Sequence, residues 1–340
     1  MRTVLVTGAA GNLGRRVTAA LASLAWLERV LAVDLTRAAV PSPRVEVHTL
    51  DLSRPGSQNE LAALGKRADA IVHLAWQPEG RQNLTVLRNV LDAAEAIEPL
   101  QLLHLSSATV YGAWPDNPVP LTEEVPPRPN PELTYAVEKR GAEVLVERWR
   151  AGHPGTAVTL LRPACTVGSV EQPLYQALAA SRRPPLGAEG RMVQYLHVDD
   201  LASAVVHAVD LGLTGTYNIA PDGGIDEEVA GALAGGPAKI PMPFPVRAAA
   251  EVFRWRARSH GPAPGLRRYA EHSWVVSGDK LRATGWAPEY SSEQALVVSD
   301  VRGHWEDLPQ NRRVSLTLAG VAAAVLAAGA GSVAWWRRRH

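Results

Sequence analysis

Along the first part of the chain, two patterns of hydrophobic and polar residues take turns. Short apolar runs at Val4-Leu5-Val6, Val30-Leu31-Ala32-Val33, Ala70-Ile71-Val72-His73-Leu74-Ala75, Leu102–Leu105 and Thr156–Leu161 predict strands, and Val45-Glu46-Val47-His48-Thr49-Leu50 predicts another. Runs of this length, apolar on both faces, belong in the interior of a parallel sheet. Between them the apolar residues recur at helical spacing, with Leu13, Val17, Leu21 and Leu24 on one stripe and Leu84, Leu87, Val90, Leu91 and Ala94 on another. Strands and helices in alternation predict an α/β fold with a doubly wound parallel sheet.

After residue 165 the pattern is looser. Leu174–Ala180 reads as a helix, Pro184-Pro185 as a break, Val193–Val198 as a strand, Asp200–Val209 as a helix capped by Asp199, and Thr216–Ala220 as a short strand. Phe244–Arg258 sets Val246, Val252, Phe253 and Trp255 against Arg247, Arg254, Arg256 and Arg258. That stretch is a plain amphipathic helix, a cover over a ligand, or a segment lying on a membrane. From Val314 to Trp336 there is no charged residue, and a helix of that length, about 34 Å, spans a hydrocarbon core of about 30 Å. Trp335-Trp336 and Arg337–Arg339 suit an interfacial anchor. We expect this tail to attach a cytoplasmic domain to a membrane, the alternative being a helix buried in a partner or a homodimer.

Composition narrows the classes. Of 340 residues, 46% are hydrophobic and 20% charged, enough for a large core. The net charge of +1 offers no footprint for nucleic acid. Cys165 is the single cysteine, so there is no disulfide framework, in keeping with a reducing compartment. The first residues lack the apolar stretch of a signal peptide. His48 and His73 sit inside strands without ligand spacing, and His197, Asp199 and Asp200 are explained by capping, so no metal is expected.

Two constellations carry chemistry. Gly8, Gly11 and Gly14 follow the first strand at three-residue spacing and open a helix, which lets backbone amides approach a pyrophosphate at the helix N-terminus. The second strand ends at Asp34, whose carboxylate can take ribose hydroxyls and disfavours a 2′-phosphate, pointing to NAD rather than NADP. Asp51 ends the third strand, where it reaches an adenine or caps a helix. Tyr135 and Lys139 lie four residues apart, on one face of a helix that Asn130, Pro131 and Glu132 are expected to start. A phenol beside an ammonium ionises more easily. Ser106, Ser107 and Thr109 follow the fifth strand, at the end of the sheet where ligands sit; each either caps a turn or holds a substrate oxygen, and Ser107 is the choice.

Together these residues resemble the extended short-chain dehydrogenase/reductase family, the NAD-dependent epimerases and dehydratases. The matching pieces are Thr7-Gly8-Ala9-Ala10-Gly11-Asn12-Leu13-Gly14, Ser107-Ala108-Thr109-Val110-Tyr111-Gly112, Tyr135-Ala136-Val137-Glu138-Lys139, Tyr195-Leu196-His197-Val198-Asp199-Asp200 and Gly285-Trp286-Ala287-Pro288, covering roughly residues 1–300. The resemblance implies a Rossmann-type core with its catalytic helix over residues 1–164. It implies a small C-terminal substrate lobe over 165–305, some of it returning to the core, ahead of the linker and apolar helix of 306–340. It also implies bound NAD, held by Gly8, Gly11, Asn12, Leu13, Gly14, Asp34, Asp51, Leu52, Ala75, Tyr135 and Lys139, and a catalytic set of Ser107, Tyr135 and Lys139. Tyr135 is then the base, Lys139 binds the nicotinamide ribose, and Ser107 orients the reacting hydroxyl.

Two departures bear on the small-molecule substrate. Cys165 stands where the nucleotide-sugar enzymes carry a diphosphate-binding asparagine, and Val193 where they often carry an arginine, although Arg191 is near. An epimerase/dehydratase-type oxidoreduction at a substrate hydroxyl carbon is the first expectation; a nucleotide sugar is one candidate substrate and does not follow from the family resemblance. A hydroxysteroid-type dehydrogenase of an apolar alcohol and a non-catalytic NAD-sensing membrane protein are the alternatives.

Overall fold

The computed structural model describes residues 2–77, 82–168, 191–233 and 265–299. The helix expected at Leu174–Ala180, the amphipathic Phe244–Arg258 stretch and the whole 306–340 tail lie outside the described residues. Among the described residues, no helix is long and apolar enough to cross a membrane.

The apolar runs become strands β1 (Arg2–Thr7), β2 (Leu27–Asp34), β3 (Val45–Thr49), β4 (Ala70–His73), β5 (Gln101–Leu105) and β6 (Ala157–Pro163). They are joined through helices α1 (Asn12–Ser23), α2 (Ser57–Leu64), α3 (Asn83–Ile97) and α4 (Thr134–Gly152). The next elements are β7 (Cys165–Val167), β8 (Met192–Val193), β9 (Tyr195–His197), α5 (Val198–Asp210), β10 (Gly215–Ile219), β11 (Ile225–Asp226) and α6 (Glu227–Leu233). The described chain closes with α7 (Arg267–Glu271), α8 (Asp279–Arg282) and α9 (Ser292–Val298).

Seven strands form one all-parallel sheet in the order β3-β2-β1-β4-β5-β6-β10, the Rossmann-type arrangement expected. Successive residues of each strand feed opposite faces. On β1, Val4 and Val6 join Val17 and Leu21 of α1 and Leu201 and Val205 of α5, while Leu5 joins Leu61 of α2, Leu87 and Val90 of α3 and Val146 of α4. Both faces are thus covered, which is why the strands read as continuous apolar runs. β10 returns from the second half of the chain to extend the sheet beside β6.

The second half differs from expectation in two places. Val193–Val198 is not one strand: β8 pairs antiparallel with β11, and β9 pairs parallel with β7. Gln194 separates them because its buried amide serves three carbonyls, of Pro221, Gly223 and Val276, and accepts the Val276 N–H. Nor does Asp199 cap the following helix. His197 does, accepting the Asp199 N–H at 3.3 Å, and the exposed Asp199 carboxylate pairs with Arg16 of α1 at 2.6 Å.

Candidate active site

The site lies at the switch point of the sheet, where β1 and β4 are neighbours and their connections leave in opposite directions. Two glycines let backbone pack on backbone there. Gly8 adopts φ +77°, and a Cβ on it would stand 2.5 Å from the Ala75 nitrogen; a Cβ on Gly14 would stand 2.0 Å from the Gly8 carbonyl oxygen. Gly11 is different. Its backbone is extended, its surface is exposed, and a Cβ would approach only the Gly8 oxygen, at 3.3 Å. No side chain caps the first turn of α1, where Asn12 and Leu13 lie, so its amide groups are available to an anion.

Asp34 sits half-buried at the end of β2. One carboxylate oxygen accepts the Ala10 N–H at 2.9 Å and the other the Thr36 N–H at 3.4 Å, so Asp34 braces the glycine loop and keeps lone pairs for ribose hydroxyls. The exposed glycine, the uncapped helix start and this carboxylate fit the pyrophosphate and ribose of NAD. Asp51 closes a turn, its Oδ1 accepting the Ser53 N–H at 2.9 Å and the Ser53 hydroxyl at 2.6 Å, and these bonds hold its carboxyl below the usual range. Leu52 is buried beside it, with its carbonyl taking the Asn89 amide at 2.7 Å.

At the end of β5, Ser107 caps a single 3-10 turn, Ala108–Tyr111. Its Oγ accepts from the Thr109 N–H at 3.2 Å and the Thr109 hydroxyl at 3.0 Å, and it lies near enough to the Tyr135 phenol to ease its ionisation. Of the three hydroxyls considered, Ser107 is therefore the one brought to Tyr135. Ser106 turns the other way and donates to Glu143 at 2.6 Å.

Helix α4 begins at Thr134, later than expected. Asn130 does not cap it, because its buried side chain is needed by the Ala113 N–H, which it accepts at 2.7 Å. The expected easing of the Tyr135 ionisation is also overturned. Burial pushes the phenol up to about 12, nearby Ser107 opposing and Cys165 adding to the rise. Lys139 stays 5.9 Å from the Tyr135 ring centroid, donates to the Leu105 carbonyl at 2.8 Å and lies 3.6 Å from the centroid of Trp76. Burial pulls the ammonium down to about 7, against Glu143 and Glu138. Desolvation penalises the charged form of each group, so at neutral pH the phenol carries its proton.

Several residues around this set were not singled out from the sequence. Glu143 lies one turn beyond Lys139, a spacing that marks it as sharing that face. Tyr269 donates to the Thr109 carbonyl at 2.9 Å and Trp274 to the Ala108 carbonyl at 3.2 Å, clamping the serine turn. No local pattern points to these two.

On the substrate side, Cys165 is buried and unbridged, and Val193 is half-buried in β8. Arg191 is buried and engaged: it contacts both carboxylate oxygens of Glu227, with Nε at 2.7 Å from one of them, and donates to the Tyr269 carbonyl at 3.1 Å. Asp200 accepts the Glu289 and Tyr290 amides at 2.7 and 3.2 Å. Among the described residues, no cluster of His, Cys, Asp or Glu is placed to hold a metal ion.

The profile of the NAD dependent epimerase/dehydratase family matches residues 4–220. An uncharacterised protein of Mycobacterium tuberculosis is 27% identical over 317 residues, covering 87% of this chain and 82% of its own. A ceramide reductase of Caulobacter vibrioides is 29% identical over 324 residues, covering 84% of this chain and 96% of its own. Among solved structures, the Thermus thermophilus UDP-glucose 4-epimerase in complex with NAD superposes with a TM-score of 0.64 at 22% identity, covering 88% of this chain and 99% of that one.

Proposed function

The chain belongs to the NAD dependent epimerase/dehydratase family, and from that premise we propose that Ser107, Tyr135 and Lys139 move the proton in an oxidoreduction at a substrate carbinol carbon, and that the substrate carries no diphosphate. NAD, when bound, supplies the hydride acceptor or donor. The chain's own residues do the rest. The Tyr135 phenol, protonated at neutral pH, gives its proton to a carbonyl oxygen in reduction and recovers it from the hydroxyl in oxidation. Ser107, next to that phenol, fixes the position of the same oxygen. Lys139 holds positive charge at the crevice, where the nicotinamide ribose is expected. The observation that carries this reading is the placing of Ser107 next to Tyr135, with Lys139 on the same helix face.

The absence of a diphosphate is argued from the substrate side. Cys165 and Val193 offer no charge-assisted contact, and Arg191 is neutralised by Glu227. A hydroxylated or ketonic apolar molecule meets no such lack, and the likeness to a ceramide reductase over most of both chains supports it. Attachment to a membrane through 314–336 would suit such a substrate.

The test uses the full-length protein with NAD. UDP-sugars and long-chain or sterol-like secondary alcohols and ketones are compared for change in NADH absorbance and for epimer formation, with Tyr135→Phe as control. NADH formed from apolar alcohols alone is expected. Epimerisation of a UDP-sugar would restore the nucleotide-sugar reading, and turnover unaffected by Tyr135→Phe would end the proton-transfer assignment. Partition of full-length chain against one ending at residue 310 tests the anchor: if both stay in the aqueous fraction, it fails.

A further inference from the structure

Trp76 lies three residues past the end of β4, and its indole is placed in the midst of the proposed proton-transfer set. The Lys139 nitrogen lies 3.6 Å from the ring centroid, and the Tyr135 ring stands edge-on to it at 6.2 Å, with an interplanar angle of 89°. The backbone after it is clamped. Asn83 of α3 accepts the Gln77 N–H at 2.9 Å and returns a hydrogen bond to the Gln77 carbonyl at 2.8 Å. The indole N–H itself is buried and has no acceptor among the described residues. Among the described residues, the contact the ring does make is the one between its face and the ammonium.

The charged and titratable groups around Lys139 leave that contact a task. On its own helix, Glu143 already serves Arg162, Arg140 and Ser106, and Glu138 lies 3.3 Å from the Asn83 amide. His73 of β4 and His104 of β5 are both buried, and burial keeps both imidazoles neutral. Arg162 of β6 is bound to Glu143. Among the described residues no carboxylate is thus devoted to the ammonium, while the quadrupole of an aromatic face attracts a cation without itself titrating.

Resting on the proton-transfer set proposed above, we infer that Trp76 is a positioning residue, whose ring face holds the Lys139 ammonium at the cofactor crevice and favours its charged form. The indole takes the place of a counter-ion. A carboxylate there would hold the charge more strongly but would also repel an anionic cofactor.

Two measurements on the full chain separate this inference from the function it rests on. The first needs no cofactor. The emission difference between wild type and Trp76→Phe is followed from pH 5 to pH 10; it is expected to titrate as a single step, and the step is expected to vanish when both proteins also carry Lys139→Met. A flat difference, or a step that survives Lys139→Met, overturns the contact. The second follows NAD affinity against pH in Trp76→Phe and Trp76→Leu. Affinity falls as pH rises through the Lys139 titration. Trp76→Phe is expected to keep the wild-type midpoint and Trp76→Leu to move it down by about one pH unit, the shift a desolvated cation–π contact supports. Equal midpoints overturn the positioning role. Failure of the wild type to bind NAD at any pH would overturn the proposed function, and the first measurement would still decide the contact.

Discussion

Glu143 and Arg162 face each other inside the protein, two of the guanidinium nitrogens lying 2.8 and 2.9 Å from the two carboxylate oxygens, with neither side chain reaching solvent appreciably. The pair ties α4 to β6, and its reach is wider. Glu143 also accepts from Ser106, and Arg162 donates to the Tyr111 hydroxyl, which in turn donates to Asn218 of β10. Both ends of the serine turn are thereby fixed to the helix that bears Tyr135 and Lys139.

Removing one member should cost far more than removing both. Glu143→Ala leaves a guanidinium buried without its carboxylate and is expected to lose about 3–5 kcal/mol in urea unfolding. Glu143→Leu combined with Arg162→Met should cost clearly less than the sum of the single changes. Additive losses would mean the two side chains do not act as a pair.

The glycines of the loop separate stability from binding. Gly14→Ala forces a Cβ to 2.0 Å from the Gly8 oxygen, where backbone must move, and should lower the melting temperature markedly. Gly11→Ala meets one oxygen at 3.3 Å and needs no unusual backbone angle, so stability should change by about 1 kcal/mol or less while NAD affinity falls. Equal stability losses at the two positions would contradict this assignment of roles.

Tyr135→Phe removes one oxygen from its place next to Ser107. Turnover should drop about 100- to 10,000-fold, the range for a lost general acid–base, with NAD binding by calorimetry little changed. A matching loss of NAD affinity would instead place the phenol in the binding of the cofactor.

Acid should destabilise the fold through a buried imidazole. Burial pulls His73 from an ordinary 6.5 down to about 3, with the Lys139 charge adding to the fall. Between those values the unfolded chain binds a proton that the fold refuses, so the His73 contribution is level above pH 6.5 and is lost progressively as pH falls toward 3. His73→Gln should flatten that decline in denaturant titrations taken at several pH values. An unchanged slope would show that His73 is not the group responsible.

The core was legible because its physics is local in sequence. Val4-Leu5-Val6 declares a doubly covered strand, Gly8–Gly14 a close approach of backbone, and the spacing of Tyr135 and Lys139 a shared helix face. What escaped depends on partners far along the chain. Asn130 has the right chemistry for a helix cap but is committed to Ala113, and Gln194 breaks an apparently continuous strand to reach Pro221, Gly223 and Val276. The raised phenol at Tyr135 follows from burial, which no spacing rule reveals.

The clamp of Tyr269 and Trp274 on the Thr109 and Ala108 carbonyls has a bearing on biosynthesis. Those contacts join residues 160 and 166 positions apart. In a nascent polypeptide emerging from the ribosome, the turn presenting Ser107 therefore stays without its clamp until the segment near residue 270 has followed.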